Sequence, residues 1–474
     1  MKISVSAENV CQNTEKPNDG LDSVGHIADV HTASPKKIQT ESVTSQTSLR
    51  SNIQWSLIGN VFYAGCQWAI LILMAKLSNP ESVGQFTLGL ALTAPIFLFA
   101  NLQLSAILAT DANRSYGFGH YLALRLITTL LSTLAIAVLV LAGHYETETT
   151  IIISAVCVAK AFEAISDIYL GVLQQHHRFE RVAWSLILKG GVSLIAVVIG
   201  FFLTGTIIGA AIGLAATNFI LMLTYDLRSI AWLRKLDTLT ETESEIPQWE
   251  WSKLSGLAWM AFPFGVRVML LALCANIPRY FIEMNDDFQA LGIFAALAYV
   301  SVVVQVISNA ISQAASPQLG NYYATGNIVA FRWLVFKVAI GLTAVGGAGI
   351  VAAVLFGSPM LKLLYSQAYA EHSTIFTWIM VSSGIWCIST IFAVAANAGR
   401  RQGSQVLAGI IVTIATLIAS AILIPRDSLH GAAITSVISA IVGFITFGGL
   451  FLMIGRGSSA EKEGYQRDPK GQRS

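Results

Sequence analysis

Apolar stretches of about 20 residues, the length a helix needs to cross a hydrocarbon core, recur along this chain with only short polar breaks between them. Twelve can be marked out: 53–77, 84–110, 121–143, 150–174, 182–203, 206–228, 254–277, 288–314, 331–356, 373–397, 404–424 and 430–455. Charged residues make up 12% and apolar ones 54% of the chain, where a soluble domain carries roughly 25% charged. The sequence therefore predicts an all-α integral membrane protein with twelve transmembrane helices.

The flanks differ. Residues 1–50 are dominated by Ser, Thr, Asn, Lys and Asp and hold no apolar run of signal-peptide length. They read as a disordered tail, not a targeting segment. A second short polar tail follows at 456–474. Between them the pattern divides into a first six-helix lobe at 51–228, a connection at 229–253 and a second lobe at 254–455. An even number of spans puts both tails on one side. The connections on that side hold Arg114, Arg178, Arg181, Arg228, Arg234, Lys235, Lys253, Arg332, Arg400 and Arg401, against Lys76, Arg279, Lys362 and Arg426 on the other. The positive-inside rule places both termini in the cytoplasm, and Trp55, Trp184, Trp232, Trp249, Trp251 and Trp333 fall near the predicted inner helix ends as an aromatic belt.

Several function classes drop out. A net charge of +2 leaves no nucleic-acid footprint. Cys11, Cys66, Cys157, Cys274 and Cys387 are scattered with no CxxC among them, and the pair His176 and His177 has no third ligand nearby, so neither set predicts a metal or a cofactor. GxxxxGK[ST], HExxH and GxSxG are missing, and the outer connections are short for a catalytic domain, which leaves a membrane-embedded glycan polymerase or ligase as the weaker alternative to a transporter.

The chain also repeats itself. "VGQFTLGLAL" at Val83 and "LGIFAALAYV" at Leu291 place Gly–x–Phe at the same point of a helix, 208 residues apart. "GAAI" recurs at Gly209 and Gly431, an offset of 222 that also carries Arg178 onto Arg400. The order of these matches favours a 6+6 duplication, an architecture in which parallel repeats hold a substrate between them.

A charge inside a span costs roughly 2.5–3.5 kcal/mol on insertion scales, so each must face protein or water. Arg125 and Lys337 lie near inner helix ends, where snorkelling to the interface is the simplest reading. Lys189, seven residues into its span, reads as a packing or snorkelling residue. Arg267 is deeper, four residues beyond Pro263, and points to a kinked helix lining a cavity or to a structural ion pair. Arg279 and Glu283 stand i,i+4 and can pair with each other. Lys160, Glu163 and Asp167 share one helix face at i, i+3, i+7. Lys160 and Glu163 are spaced to pair, which leaves Asp167 to meet a cation from another helix or the inner surface. The stripe is either a polar seam in the first lobe or a contact for substrate or coupling ion. Asn60, Tyr63 and Gln67 on one span, and Gln305, Asn309 and Gln313 on another, form amide rows suited to helix contacts or to sugar hydroxyls.

The run from "LIGNVFYAGCQWAILILMAKLSNPESVGQFTLGLALTAPIF" through "RLITTLLSTLA", "AKAFEAISDIYLGVLQQHHRFER", "ANIPRYFIE", "LGIFAALAYV" and "LLYSQAYAEHS" resembles bacterial polysaccharide-biosynthesis flippases of the multidrug/oligosaccharidyl-lipid/polysaccharide exporter superfamily. The resemblance covers about residues 50 to 455. It implies two six-helix lobes around a central cavity lined largely by spans one, two, seven and eight. It also implies a polyprenyl-pyrophosphate-linked oligosaccharide moved across the bacterial cytoplasmic membrane, with polysaccharide polymerase and glycosyltransferases as partners. Drive by H+, by Na+ or by the membrane potential stays open, as does a small-molecule antiporter of the same superfamily. On this reading Arg267, Arg279, Lys160, Asn60, Gln67, Gln305 and Asn309 are the candidate substrate contacts, and Glu163 and Asp167 a coupling or structural network.

Overall fold

Helix ends fall where the polar breaks supply caps. The computed structural model describes residues 49–111, 116–235, 246–285, 287–399 and 402–467. The tail at 1–50 lies outside them but for its last two residues, as do Arg114, Arg400, Arg401 and residues 236–245 of the predicted connection. Asn79 caps α2 (Pro80–Ala100) by accepting a hydrogen bond from the Ser82 amide at 2.9 Å, with Pro80 at the first helical position. Asp287 caps α10 (Phe288–Ala324) the same way, from Ala290 at 2.8 Å. The two caps stand 208 residues apart, the offset read from the sequence.

The other elements are α1 (Leu49–Leu77), α3 (Leu104–Thr110), α4 (Phe118–Gly143), α5 (Thr147–Gln175), α6 (Phe179–Thr204), α7 (Ile207–Leu221) and α8 (Leu227–Lys235). After the connection come α9 (Trp251–Asn285), α11 (Ile328–Leu364), the single turn α12 (Gln367–Ala370), α13 (Ser373–Ala398) and α14 (Gln402–Arg467). No strand occurs among the described residues. Among the described residues ten helical stretches are long and apolar enough to cross a membrane. One of them, Gly403–Ile454, holds 52 residues and is interrupted at Asp427 and Ser428, whose φ of 44° breaks the helix into two. The 29-residue α5 is not among the ten; its middle carries Lys160, Glu163 and Asp167.

The predicted span 84–110 is in fact broken: Leu102 and Gln103 adopt left-handed backbone, and α3 continues beyond them. The end of the sixth span differs as well. A π-helical turn at Met222–Asp226 joins α7 to α8, and such an inserted residue re-aims the side chains around it.

Neighbouring helices pack as α1 on α6, α6 on α7 and α5 on α7 and α2 in the first half, and as α13 on α14, α11 and α10, with α9 on α14, in the second. Between the halves α2 lies along α10 and α9, and α1 and α4 touch α10 and α9. Glycine makes the closest of these contacts. A Cβ on Gly84 would stand 1.9 Å from the Phe288 carbonyl oxygen, and one on Gly292 would stand 1.9 Å from the Pro80 oxygen. The contact is reciprocal, and both partners are related by the 208-residue offset. The GAAI glycines behave alike: a Cβ on Gly209 would meet the Gly200 oxygen and one on Gly431 the Leu423 oxygen, each at 2.2 Å or less from the preceding span. Repeated sequence thus sits at repeated backbone contacts.

Candidate functional site

Three cations of the first half each have a carboxylate of their own. Arg125 is fully buried, its guanidinium 2.9 Å from Asp167 and bonded to Asn101. Snorkelling is therefore not its role. Once α4 packs on α5, the acid left over from the polar stripe is near enough to hold it inside. Lys189 does not snorkel either. Its ammonium lies 3.0 Å from Asp226 with both side chains buried, and Ser185 donates to the same carboxylate at 2.6 Å while Ser166 bonds both partners. The π turn delivers Asp226 to this position. Lys160 and Glu163 pair at 2.7 Å, as their spacing predicts, and Tyr63 donates to Glu163 at 3.2 Å. About a third of each side chain stays exposed. Lys337 is the exception that stays outside: it is exposed, with its ammonium 5.3 Å from the centre of the Trp333 ring.

The second half is built the opposite way. It encloses a cavity of about 640 Å³ lined wholly by α9, α10, α13 and α14. Space remains there because the facing positions are small: Ser308, Ser389, Gly409, Ser436 and Ser439. In the first half, long ion-paired side chains fill the interior instead. Two arginines enter the cavity. Arg267 donates to the side-chain oxygens of Asn397 at 3.0 Å and Gln405 at 3.2 Å, and Gln405 also donates to Asn397 at 2.9 Å. Arg279 donates to Asn276 at 2.8 Å and lies 6.0 Å from the centre of the Tyr299 ring. It does not pair with Glu283 among the described residues; Asn276, one turn back on the same helix, holds it.

No aspartate or glutamate lines this cavity among the described residues. The Nε of each arginine is buried with no hydrogen-bond partner. Amide oxygens satisfy part of each guanidinium, but being neutral they leave its charge standing. At an effective dielectric near 20, a unit anion at 4 Å gains about 4 kcal/mol from one such charge, against about 1 kcal/mol in water. Among the described residues the cavity therefore holds two positive charges with no carboxylate against them.

Four of the seven predicted contacts meet here: Arg267, Arg279, Gln305 and Asn309. Asn60, Gln67 and Lys160 do not line it. Asn60 is exposed and donates to the Ser56 carbonyl, and Gln67 is half-buried on α1. The expected lining by spans one, two, seven and eight is met on the side of seven and eight only, with α13 and α14 completing it. Sequence reading missed Asn276, Tyr299, Asn397 and Gln405. Asn276 had a signal, since it stands three residues before Arg279. Asn397 and Gln405 had none, because they come from two different helices and no single-helix spacing links them.

No protein-family model matches the chain. It is 26% identical over 402 residues, 84% of its length and 97% of the relative's, to the capsular polysaccharide biosynthesis protein CapF of Staphylococcus aureus. Among solved structures it is similar to the lipid II flippase MurJ in an inward closed conformation, with a TM-score of 0.67 and 14% identity over 89% of this chain and 94% of that one. An inward-facing multidrug resistance MATE family transporter of the MOP superfamily gives a TM-score of 0.64 with 12% identity, over 85% and 99% of the two chains. A MOP superfamily transporter from Pyrococcus furiosus, described by the reverse polarity of its binding pocket, gives 0.60 with 15% identity, over 85% and 96%. These likenesses bear out the resemblance to the polysaccharide flippases of that superfamily. The fold is shared with those solved structures, and the chain is a multi-pass membrane protein.

Proposed function

We propose that this chain is a flippase that carries a polyprenyl-pyrophosphate-linked oligosaccharide across the bacterial cytoplasmic membrane by alternating access, during cell-surface polysaccharide biosynthesis. The observation that carries the reading is the cavity with two arginines and, among the described residues, no carboxylate. A multidrug antiporter for organic cations would need the opposite sign. The likeness to a capsular polysaccharide protein and to a lipid II flippase supports the same substrate class. Dividing Gly403–Ile454 at its break and adding α5 turns the ten stretches into twelve spans, which we assign to two six-helix lobes at 51–228 and 254–455. Both termini are cytoplasmic on this reading, and the end where α2 and α10 begin faces outward.

Two phosphate charges moving outward across an inside-negative membrane gain roughly 2.3 kcal/mol each per 100 mV. That supports potential-driven export, and an H+ or Na+ antiport adds to it. Polysaccharide polymerase and glycosyltransferases are the partners such a step requires. Deleting the chain should leave the complete lipid-linked unit on the cytoplasmic leaflet. Drug sensitivity with normal surface glycan would instead reject the flippase. Within the cavity, Arg267→Ala should abolish export from a protein that still inserts, and Arg267→Lys should keep part of it, since a point cation survives while the planar fork is lost. Full export by a well-expressed alanine variant would remove Arg267 from the mechanism.

Lys160 and Glu163 call for a different test. Because the two neutralise each other at 2.7 Å, Lys160→Glu combined with Glu163→Lys should export better than either single change. A swapped protein as inactive as Lys160→Glu alone would mean that Lys160 meets the phosphates directly.

A further inference from the structure

Building on the anion-carrying reading above, we infer that the cavity contains two separate stations for the same lipid diphosphate, a loading station at Arg267 and a release station at Arg279. The two residues stand on one uninterrupted helix, α9. Twelve residues separate them, about 18 Å at 1.5 Å per residue. Their side chains turn to different levels. Arg267 reaches Asn397 at the end of α13 and Gln405 at the start of α14. Arg279 is held by Asn276 and lies beside Tyr299, in the half of α10 that begins at Phe288. One diphosphate does not bridge guanidinium groups anchored that far apart. Each arginine also has its own neutral amide anchor and its own buried, unpartnered Nε–H, so each has a donor left for a ligand.

The lining between them is mostly apolar but carries two amides. α10 runs antiparallel to α9, so moving from Tyr299 through Gln305 to Asn309 descends from the level of Arg279 toward that of Arg267. Gln305 and Asn309 both line the cavity. Their amides offer donors to phosphate oxygens along the way, which makes a stepwise transfer between two cations easier than release from one deep site.

Titration of the full-length protein in lipid nanodiscs with farnesyl diphosphate, followed by calorimetry, tests this. Wild type should bind two equivalents. Arg267→Gln and Arg279→Gln should each bind one, with the lost station weakened at least about 10-fold, the loss expected for a charged hydrogen bond. Where a glutamine variant does not fold, Arg267→Lys or Arg279→Lys carries the same comparison and should weaken only its own station. A single equivalent in wild type that either substitution removes would mean one shared site and overturn the relay while leaving the flippase reading intact. No binding by wild type would overturn both.

Discussion

Replacing Asp226 with alanine is expected to remove most folded protein from the membrane. Asp226 is fully buried, and its carboxylate is the acid in direct contact with Lys189, itself 4% exposed, with Ser166 and Ser185 completing the cluster. Truncating one member of such a pair leaves an uncompensated charge inside, a loss of about 3–5 kcal/mol. That is a large fraction of the 5–15 kcal/mol by which proteins are stable. The pair itself is a different matter. Removing both charges together, as in Lys189→Met with Asp226→Leu, should restore folding close to wild type, because desolvation offsets much of what the ion pair contributes. Thermal unfolding followed by size-exclusion elution checks both arms. A single alanine variant with the parent melting temperature would show that the cluster is not structural.

The same cluster shows where sequence reading stops. An acid inside an apolar run carries a cost of its own, so Asp226 was detectable at 226 as an intramembrane charge. Its partner was not, because Lys189 lies 37 residues away on another helix, and only the π turn at Met222–Asp226 brings the carboxylate round to it. Within a single helix the reading fared better. Lys160 with Glu163 follows directly from i, i+3 geometry, and Asp167, left over on the same stripe, does meet a cation from another helix in Arg125. The all-helical, membrane-spanning class was similarly legible from apolar length, whereas the break at Leu102 and Gln103 was not, since "NLQLSAILAT" contains neither glycine nor proline. The placement of the cavity depended on side-chain size across four helices. No periodicity along one chain segment encodes that.

Valine at Gly292, or at Gly84, should hold the protein open at the end assigned as outer and stop transport. At both positions a Cβ would stand 1.9 Å from a backbone oxygen of the facing helix, and real Cβ contacts do not fall below 3.0 Å. A carbonyl cannot rotate out of the way as a side chain can, so α2 and α10 must part by roughly 1 Å or more. Overpacking of this kind costs about 1–3 kcal/mol in the closed arrangement. A state in which the two ends are already apart does not bear that cost. The balance therefore moves toward outward opening by about 5- to 160-fold, and a carrier that cannot close outside cannot reload inside. A cysteine at Ala298, which lines the cavity, reports the shift in a background lacking Cys66, Cys157, Cys274 and Cys387. It should react with an impermeant thiol reagent added outside in the valine variants and stay protected in the parent. Gly320→Val is the control, since a Cβ there meets nothing within 4 Å on the same helix, α10. It should leave both labelling and export unchanged. Protection of Ala298→Cys in all three variants would mean that the two glycines pack the helices without gating them.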